Sequence, residues 1–283
     1  MSLPAILDSH VHLWDPNRFQ YAWLDGLPAL QRAFLPADFA DASATIPVSK
    51  MIFVECGCER AQNQAEADWV SSLAKTEPRL KGIVAYAPLE KGQAIRAELD
   101  AFARRALVKG IRRSLQDERD TEFCLRPQFI AGVKSLAEFG FTFDLCVRHH
   151  QLPSAIRLVE QVSQVTFVLD HFGKPEVARG KTEPWATDLK TLAALPNVVC
   201  KMSGLATEAD WKNWHPDDLK FYFETAVECF GFDRVLFGGD WPVATLATSY
   251  ELWLKTVLEL LSFASEADRS KLFQTNAERV YRV

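Results

Sequence analysis

Eight short apolar runs, rich in β-branched residues, recur along the 283-residue chain and alternate with amphipathic helical patterns. Near-continuous apolar runs of this length are typical of parallel strands that are buried on both faces. The predicted strands cover residues 5–8, 51–55, 82–87, 108–112, 142–147, 166–170, 198–202 and 234–238.

Between these runs, apolar residues are spaced for one face of a helix. Helices are predicted at residues 64–76, 94–106, 126–139, 152–162, 184–194, 219–230 and 250–261, with a closing helix at 266–281. Eight strand–helix alternations predict an α/β fold of the (β/α)8 type, a TIM barrel that forms one domain over residues 1–283. An open, doubly wound sheet is the alternative, but no glycine-rich loop follows the first strand to hold a dinucleotide phosphate.

Residues 14–47 form an unusually long first connection that contains Trp14, Tyr21, Trp23 and several prolines. Long loops in compact domains are usually functional or disordered, and the aromatic content argues against disorder. We expect this loop to be a lid or pocket wall over the site. Simple aromatic packing over the barrel rim is the alternative.

The composition excludes several classes of partner. A net charge of −5 argues against nucleic acid and against an anionic membrane surface. No apolar run reaches the roughly 18 residues of a membrane-spanning helix, and the N-terminus lacks the features of a secretory signal, so a cytoplasmic protein is expected. Six scattered cysteines fit free thiols in a reducing compartment. The sequence leaves a monomer and a homo-oligomer equally open.

Two histidines lie two residues apart at the end of the first strand, His10 and His12. Side chains alternate across a strand, so both project to the same face. In a barrel of this type the catalytic groups lie at the carboxyl ends of the strands. Strands 1 and 8 are neighbours there, which brings Asp240 close to both histidines, and His171 follows strand 6. Taken alone, Asp240 has a second interpretation as a helix N-cap.

Two chemical designs fit these four residues. In the first, His10, His12 and Asp240 bind one divalent metal that activates water and polarises a carbonyl group. In the second, Asp240 is the general base for water, and the histidines and an arginine donate hydrogen bonds to the developing oxyanion. Both designs hydrolyse an acyl group, and the residues alone do not choose between them.

Seven sequence motifs, in their order along the chain, resemble those of the amidohydrolase superfamily. The resemblance is to the sugar-lactonase branch, which contains L-fuconolactonase, L-rhamnono-lactonase, 4-sulfomuconolactonase and pyrone-dicarboxylate lactonase. The His-x-His motif alone is weak evidence, but the ordered set is highly specific and spans essentially the whole chain. The motifs are DSHVHLWDP (8–16), GIRRSLQ (110–116), FDL (143–145), VLDHFGKP (168–175), CKMSGL (200–205), LFGGDWPV (236–243) and NAERVY (276–281).

The resemblance implies a barrel of the amidohydrolase type that opens a lactone ring, such as an aldonolactone of carbohydrate catabolism. It assigns His10, His12, His171 and Asp240 to the catalytic centre and Arg112 or Arg113 to the substrate. Strand 4 lacks the modified lysine, and strand 5 the metal-binding histidine, that many relatives carry, so a two-metal site is not expected. The resemblance implies either no cofactor or one divalent metal, with zinc as the first choice.

A sugar-lactone pocket needs hydrogen-bonding groups and aromatic planes. The candidate substrate-binding residues are Trp14, Glu55, Arg112, Gln116, Arg148, Lys174 and Trp241. Because Arg112 and Arg113 alternate along a strand, we expect only one of them to face the pocket. Several arginines would instead suit a dicarboxylate or muconolactone-type lactone from aromatic degradation. A metal-dependent decarboxylase of the same superfamily and an inactive scaffold barrel are further alternatives.

Overall fold

The computed structural model describes residues 5–283, and its core is an eight-stranded parallel sheet whose strands follow one another in chain order. The sheet closes where the Asp240 amide donates to the His10 carbonyl (2.9 Å) and the His12 amide donates to the Trp241 carbonyl (2.7 Å). The predicted (β/α)8 barrel is therefore confirmed. Its strands are β1 (Ile6–Val11), β2 (Val48–Val54), β3 (Leu80–Tyr86), β4 (Val108–Arg112), β5 (Thr142–Leu145), β6 (Phe167–Leu169), β7 (Val198–Met202) and β8 (Val235–Phe237).

Helices connect the strands and surround the barrel, and α2–α8 begin and end within three residues of their predicted bounds. A π-helical turn, Lys271–Thr275, divides the predicted closing helix in two. No helix of residues 5–283 combines the length and apolar character that crossing a membrane requires. The helices are α1 (Pro36–Ala42), α2 (Asn63–Leu73), α3 (Arg96–Ala103), α4 (Pro127–Phe139), α5 (Leu152–Gln161), α6 (Trp185–Ala193), α7 (Pro216–Phe230), α8 (Tyr250–Leu260), α9 (Glu266–Ser270) and α10 (Asn276–Tyr281).

The strands begin and end within three residues of their predicted bounds, and two of the differences, in β1 and β6, lie at the candidate site. Hydropathy did not predict them because it does not record how polar groups are satisfied. Strand β1 continues to Val11, beyond the predicted end at residue 8, and the Ser9 hydroxyl donates to the Phe237 carbonyl at 2.6 Å. Strand β6 stops at Leu169, because the next residues turn sharply with positive φ at His171 (53°) and Phe172 (57°). Both differences shape the carboxyl end of the barrel, where the candidate site lies.

A buried apolar layer fills the barrel interior. Residues of α10 pack against this layer, and Lys50 near the start of β2 pairs with Glu278 at 2.8 Å. Helix α10 therefore closes the amino-terminal end of the barrel, opposite the strand ends that carry His10 and Asp240. The members of the layer are Leu7, Ile52, Val54, Val84, Val168, Val199, Leu236, Ala277, Val280 and Tyr281.

The long first connection is held against the barrel by hydrogen bonds from its aromatic residues. Trp14 and Phe34 exchange backbone hydrogen bonds of 3.1 and 2.8 Å. The Trp14 indole donates to the Arg32 carbonyl at 2.8 Å, and the Trp23 indole donates to the Cys56 carbonyl at 2.7 Å, just past β2. The loop thus forms an aromatic wall beside β1 and β2, and its role as a lid stays a prediction.

A buried carboxyl group on α2, that of Glu66, predicts a pH-dependent stability. In the described residues its Oε1 atom has no hydrogen-bond partner, and burial, reinforced by Glu55, raises its pKa from 4.5 to about 8. The unfolded chain therefore loses this proton at lower pH than the folded chain. Stability falls as the pH rises from about 4.5 to 8.

Glu66→Gln removes this penalty, so we expect its stability advantage over the parent to grow by about 2 to 4 kcal/mol between pH 5 and pH 8. Urea unfolding at the two pH values measures this difference. The exposed Glu228→Gln on α7 is the control, and its difference from the parent should not change with pH. An advantage for Glu66→Gln that is the same at both pH values would contradict the prediction.

Candidate metal centre

The carboxyl ends of β1, β6 and β8 bring the four predicted catalytic residues to one point. His10 and His12 project from β1 and its end, and all four side chains are buried. The Nε2 atoms of His10, His12 and His171 lie 3.7, 3.4 and 3.9 Å from Oδ1 of Asp240. The carboxylate is thus surrounded by three imidazole rings in a space that bulk solvent barely reaches.

The tautomer of His12 follows from its backbone contact. Its Nδ1 atom lies 2.8 Å from the Val54 carbonyl oxygen, which can only accept, so Nδ1 carries the proton. The Nε2 lone pair therefore points inward, 3.1 Å from Nε2 of His10 and 3.4 Å from Oδ1 of Asp240. A lone pair that faces a carboxylate oxygen at this distance is repulsive unless a cation lies between them.

The donor set of His10, His12 and Asp240 fits a divalent metal. The distances between its donor atoms are 3.1 Å from His10 Nε2 to His12 Nε2, 3.4 Å from His12 Nε2 to Asp240 Oδ1, and 3.7 Å from His10 Nε2 to Asp240 Oδ1. Ligands of a tetrahedral zinc ion at about 2.0–2.1 Å stand roughly 3.3 Å apart. A carbonyl that accepts from the outer nitrogen, as Val54 does from His12, is also the usual support for a metal-binding histidine.

A second possible donor group, His10, Asp170 and His171, is less suitable for a metal. Asp170 already faces two cations, with Arg112 at 3.2 Å from Oδ2 and Lys201 at 3.1 Å from Oδ1. A metal there would compete with both. The first group is therefore the better candidate.

Asp240 is ionised in this environment. Burial opposes ionisation, but a proton on the facing rings of His171, His12 or His10 lowers the pKa of Asp240 well below its usual range. Burial also lowers the pKa of His171 to about 4, although Asp240 opposes that shift. At neutral pH the site therefore holds an acetate-like base beside a neutral imidazole.

Ser203 and Gly204, which follow β7, fit closely around these two groups. The Ser203 hydroxyl lies 2.9 Å from Nδ1 of His171. Gly204 has φ +61°, and a Cβ atom there would stand 2.5 Å from Nδ1 of His171 and 2.8 Å from Oδ2 of Asp240. The His171 ring and the Asp240 carboxylate can thus keep their positions only because Gly204 has no side chain.

Arg112 faces the barrel interior and Arg113 faces outward, which settles the choice that the sequence left open. Arg112 donates to Oε1 of Glu55 at 2.7 Å, to Oδ2 of Asp170 at 3.2 Å and lies 3.4 Å from Nε2 of His10. Arg113 instead pairs with two carboxylates on the outer side, Glu90 and Glu118.

The other predicted substrate-binding residues lie at different depths. Lys174 donates to Oε1 of Gln116 at 2.6 Å, and both side chains are half-buried. Arg148 is 43% exposed and lies 3.8 Å from Asp117. Lys174 and Gln116 are thus paired with each other, whereas Arg148 is partly exposed, and the part of all three in substrate binding stays a prediction.

The two predicted aromatic contacts, Trp14 and Trp241, are buried in ring packing. Trp241 packs against Phe34 and Phe39 at ring-centroid distances of 5.5 and 5.3 Å. Trp14 packs against Phe34 at 5.1 Å and lies 6.5 Å from the His12 ring. Their part in substrate binding stays a prediction.

Sequence reasoning did not assign five residues that shape the site. Asp8 accepts the backbone amides of His10 and Gly239, each at 2.9 Å. All five lie inside the motifs that carried the resemblance, which was the available signal. They are Asp8, Asp170, Lys201, Ser203 and Gly204.

The model of the amidohydrolase family matches residues 7–283. This chain belongs to the amidohydrolase family. Among curated proteins it is similar to an L-fucono-1,5-lactonase of Burkholderia multivorans, with 33% identity over 97% of this chain and 95% of that one. An L-fucono-1,5-lactonase of Burkholderia ambifaria is 30% identical, over 98% and 95% of the two chains.

Among solved structures, an amidohydrolase of Burkholderia multivorans with bound zinc superposes with a TM-score of 0.90. It is 33% identical and covers 99% of this chain and 100% of that one. The donor set described above fits a divalent metal, and this relative holds zinc.

Gly204→Ala should disable the centre. The new methyl group would displace His171 or Asp240, so we expect metal affinity to fall at least about tenfold and hydrolysis to fall with it. Gly180→Ala is a matched control, since its φ is +60° but no atom lies within 4 Å of the new Cβ.

Both variants carry a backbone strain of about 1–2 kcal/mol, and Gly204→Ala adds the clash with His171 and Asp240, so its thermal unfolding should shift further than that of Gly180→Ala. Equilibrium dialysis against zinc then separates the effects. Equal zinc affinity in the two variants would show that the Gly204 contacts do not govern the centre.

Proposed function

We propose that this protein is a lactonase that hydrolyses a neutral sugar lactone, with one divalent metal, zinc by preference, held by His10, His12 and Asp240. The observation that carries the proposal is the ionised Asp240 enclosed by the inward-facing Nε2 atoms of three histidines. The L-fucono-1,5-lactonases that match nearly the full chain support the same reaction class.

Asp240 accepts the proton of the attacking water, because it stays ionised near neutral pH and its Oδ1 faces the centre. A divalent metal bound there supplies Lewis acidity toward the lactone carbonyl and the water. His171 is neutral, and when Ser203 donates to its Nδ1, the remaining N–H at Nε2 points toward the reacting oxygen atoms. His171 thus donates a hydrogen bond as the ring ester opens.

The pairing of cations around the site favours a neutral substrate. Within residues 5–283, the cations that the sequence assigned to the substrate already face carboxylates. Arg112 pairs with Glu55 and Asp170, and Lys174 lies 3.7 Å from Glu208. A dicarboxylate lactone needs several arginines free to converge on its charges. Paired side chains such as Glu55 and Gln116 suit the hydroxyl groups of a sugar.

The decarboxylase alternative is less well supported by β5. Asp144, the charged residue of that strand, pairs with Lys201 at 2.5 Å, and the strand carries no histidine placed toward the centre. Ester hydrolysis needs only the base and the polarised carbonyl that the present residues offer.

A lactone panel tests the substrate class. We expect release of acid, followed with a pH indicator, from L-fucono-, L-rhamnono- or L-galactonolactone, and at least about a hundredfold lower kcat/KM on dicarboxylate lactones. Preference for a dicarboxylate lactone would overturn the neutral-substrate assignment. Absence of turnover on any lactone would overturn the proposed reaction.

Metal removal and Asp240→Asn test the catalytic centre. Chelation should abolish turnover, and zinc should restore it, if His10, His12 and Asp240 hold the metal. Asp240→Asn should lose about a thousandfold in kcat while keeping its far-ultraviolet circular dichroism spectrum. Full activity after chelation, in protein shown to be metal-free by elemental analysis, would leave the metal-independent design, with Asp240 as base and histidine donors.

A further inference from the structure

Asp240, the carboxylate of the candidate centre, has a backbone conformation that is uncommon for a residue with a side chain. Its φ is +51°, in the left-handed region. Such a conformation costs energy and persists only where the surrounding structure holds it. The contacts that hold residues 238–240 therefore decide where the Asp240 carboxylate lies.

Regular strand pairing ends before it reaches these residues. Strand β8 stops at Phe237, three residues before Asp240. On the neighbouring strand, the pairing of β1 with β2 shifts register between Asp8 and Val11, which is the stretch that carries His10. The position of both segments thus depends on individual contacts rather than on a continuous ladder of hydrogen bonds.

One oxygen atom of Asp8 joins the two segments. Its Oδ1 atom accepts from the His10 amide and from the Gly239 amide, at 2.9 Å each. Asp8 has no exposed surface, so a donor that loses this oxygen is left buried without an equivalent partner. The His10 segment and the residue before Asp240 therefore cannot separate without losing a buried hydrogen bond.

Helix α8 holds the Asp8 side chain in place. The Tyr250 hydroxyl donates to Oδ2 of Asp8 at 2.8 Å, and the Trp253 indole donates to the Gly238 carbonyl at 2.9 Å. Residues three apart lie on the same face of a helix, so one face of α8 contacts both Asp8 and the segment after β8. A Cβ atom at Gly239 would stand 2.3 Å from the Tyr250 ring and 2.5 Å from Oδ2 of Asp8, so this close fit requires a glycine.

We infer that Asp8, oriented by Tyr250, is a positioning residue that sets the distance between His10 and Asp240. Asp8 does not touch the reacting atoms, so its effect passes through the backbone amides of the two segments. The ligands of one metal ion must be held within about 0.5 Å of their productive positions, so a small shift of either segment weakens the centre. The inference rests on the metal-dependent function proposed above.

Two substitutions of Asp8 separate its geometry from its charge. Asp8→Asn removes the charge but keeps the oxygen that accepts both amides, whereas Asp8→Leu has a similar shape and no acceptor. Zinc affinity, measured by competition with a chromophoric chelator, should fall about 10- to 100-fold in Asp8→Leu and stay within about threefold of the parent in Asp8→Asn. Equal losses in the two variants would assign the effect to charge and overturn the inference.

Hydrogen exchange of the Gly239 amide reports on the same contact without metal or substrate. In the parent and in Asp8→Asn this amide keeps its acceptor and should be protected. In Asp8→Leu it should exchange at least about tenfold faster, as followed by NMR of the ¹⁵N-labelled protein. Unchanged zinc affinity in Asp8→Leu would overturn the positioning role even if Gly239 exchanged faster.

A milder pair of variants tests the inference if Asp8→Leu does not fold. Tyr250→Phe removes only the hydroxyl that orients Asp8, so zinc affinity should fall about two- to fivefold. Tyr222→Phe is the matched control, because this buried tyrosine on α7 donates to the Lys181 carbonyl at 3.1 Å, and its loss should leave zinc affinity unchanged. Equal zinc affinity in Tyr250→Phe and Tyr222→Phe would contradict the role of Tyr250.

The two levels of the proposal fail in different ways. Zinc affinity and amide exchange are both measured without substrate. Failure of the parent on every lactone would thus overturn the proposed reaction, whereas a folded Asp8→Leu that binds zinc as tightly as the parent would overturn the role of Asp8.

Discussion

Buried carboxylates outnumber buried cations around the centre of this barrel, and the site depends on how that imbalance is met. Glu55, Asp144, Asp170 and Asp240 face the interior. Only Arg112 and Lys201 among the described residues lie between them with a permanent positive charge. Buried charges must be paired or neutralised. Asp240 is the carboxylate of this set that neither cation pairs with.

The way in which these cations pair with the carboxylates explains why Asp170 and Asp240 have different surroundings. Arg112 and Lys201 share Asp170 between them, and their other partners are Glu55 and Asp144. Asp240 is left with three imidazole rings and no permanent cation, which is the arrangement of a metal ligand or a general base. The same pairing leaves little positive charge for an anionic substrate, so the proposed substrate class and the proposed metal site rest on one constraint.

Much of the fold and of the site was predictable from the sequence. The alternation of apolar strands with helices predicted the barrel, and the closure of β1 on β8 placed Asp240 beside His10 and His12. The bounds of β1 and β6 were not predictable, because hydropathy does not show that Ser9 is satisfied by Phe237 or that the chain turns at His171. The roles of Ser203 and Gly204 were also hidden, since each acts only through contact with His171 and Asp240.

The sequence by itself determined which side chains reach the carboxyl end of the barrel, because strand periodicity and strand order are local, one-dimensional properties. Only the tertiary structure decided which nitrogen of His12 carries a proton, that Arg112 faces inward, and that Lys201 meets Asp144, Asp170 and His10. Each of these depends on partners from distant strands, and hydrogen-bond direction is set by those partners at distances of about 3 Å. Residue spacing along one chain carries no information at that scale.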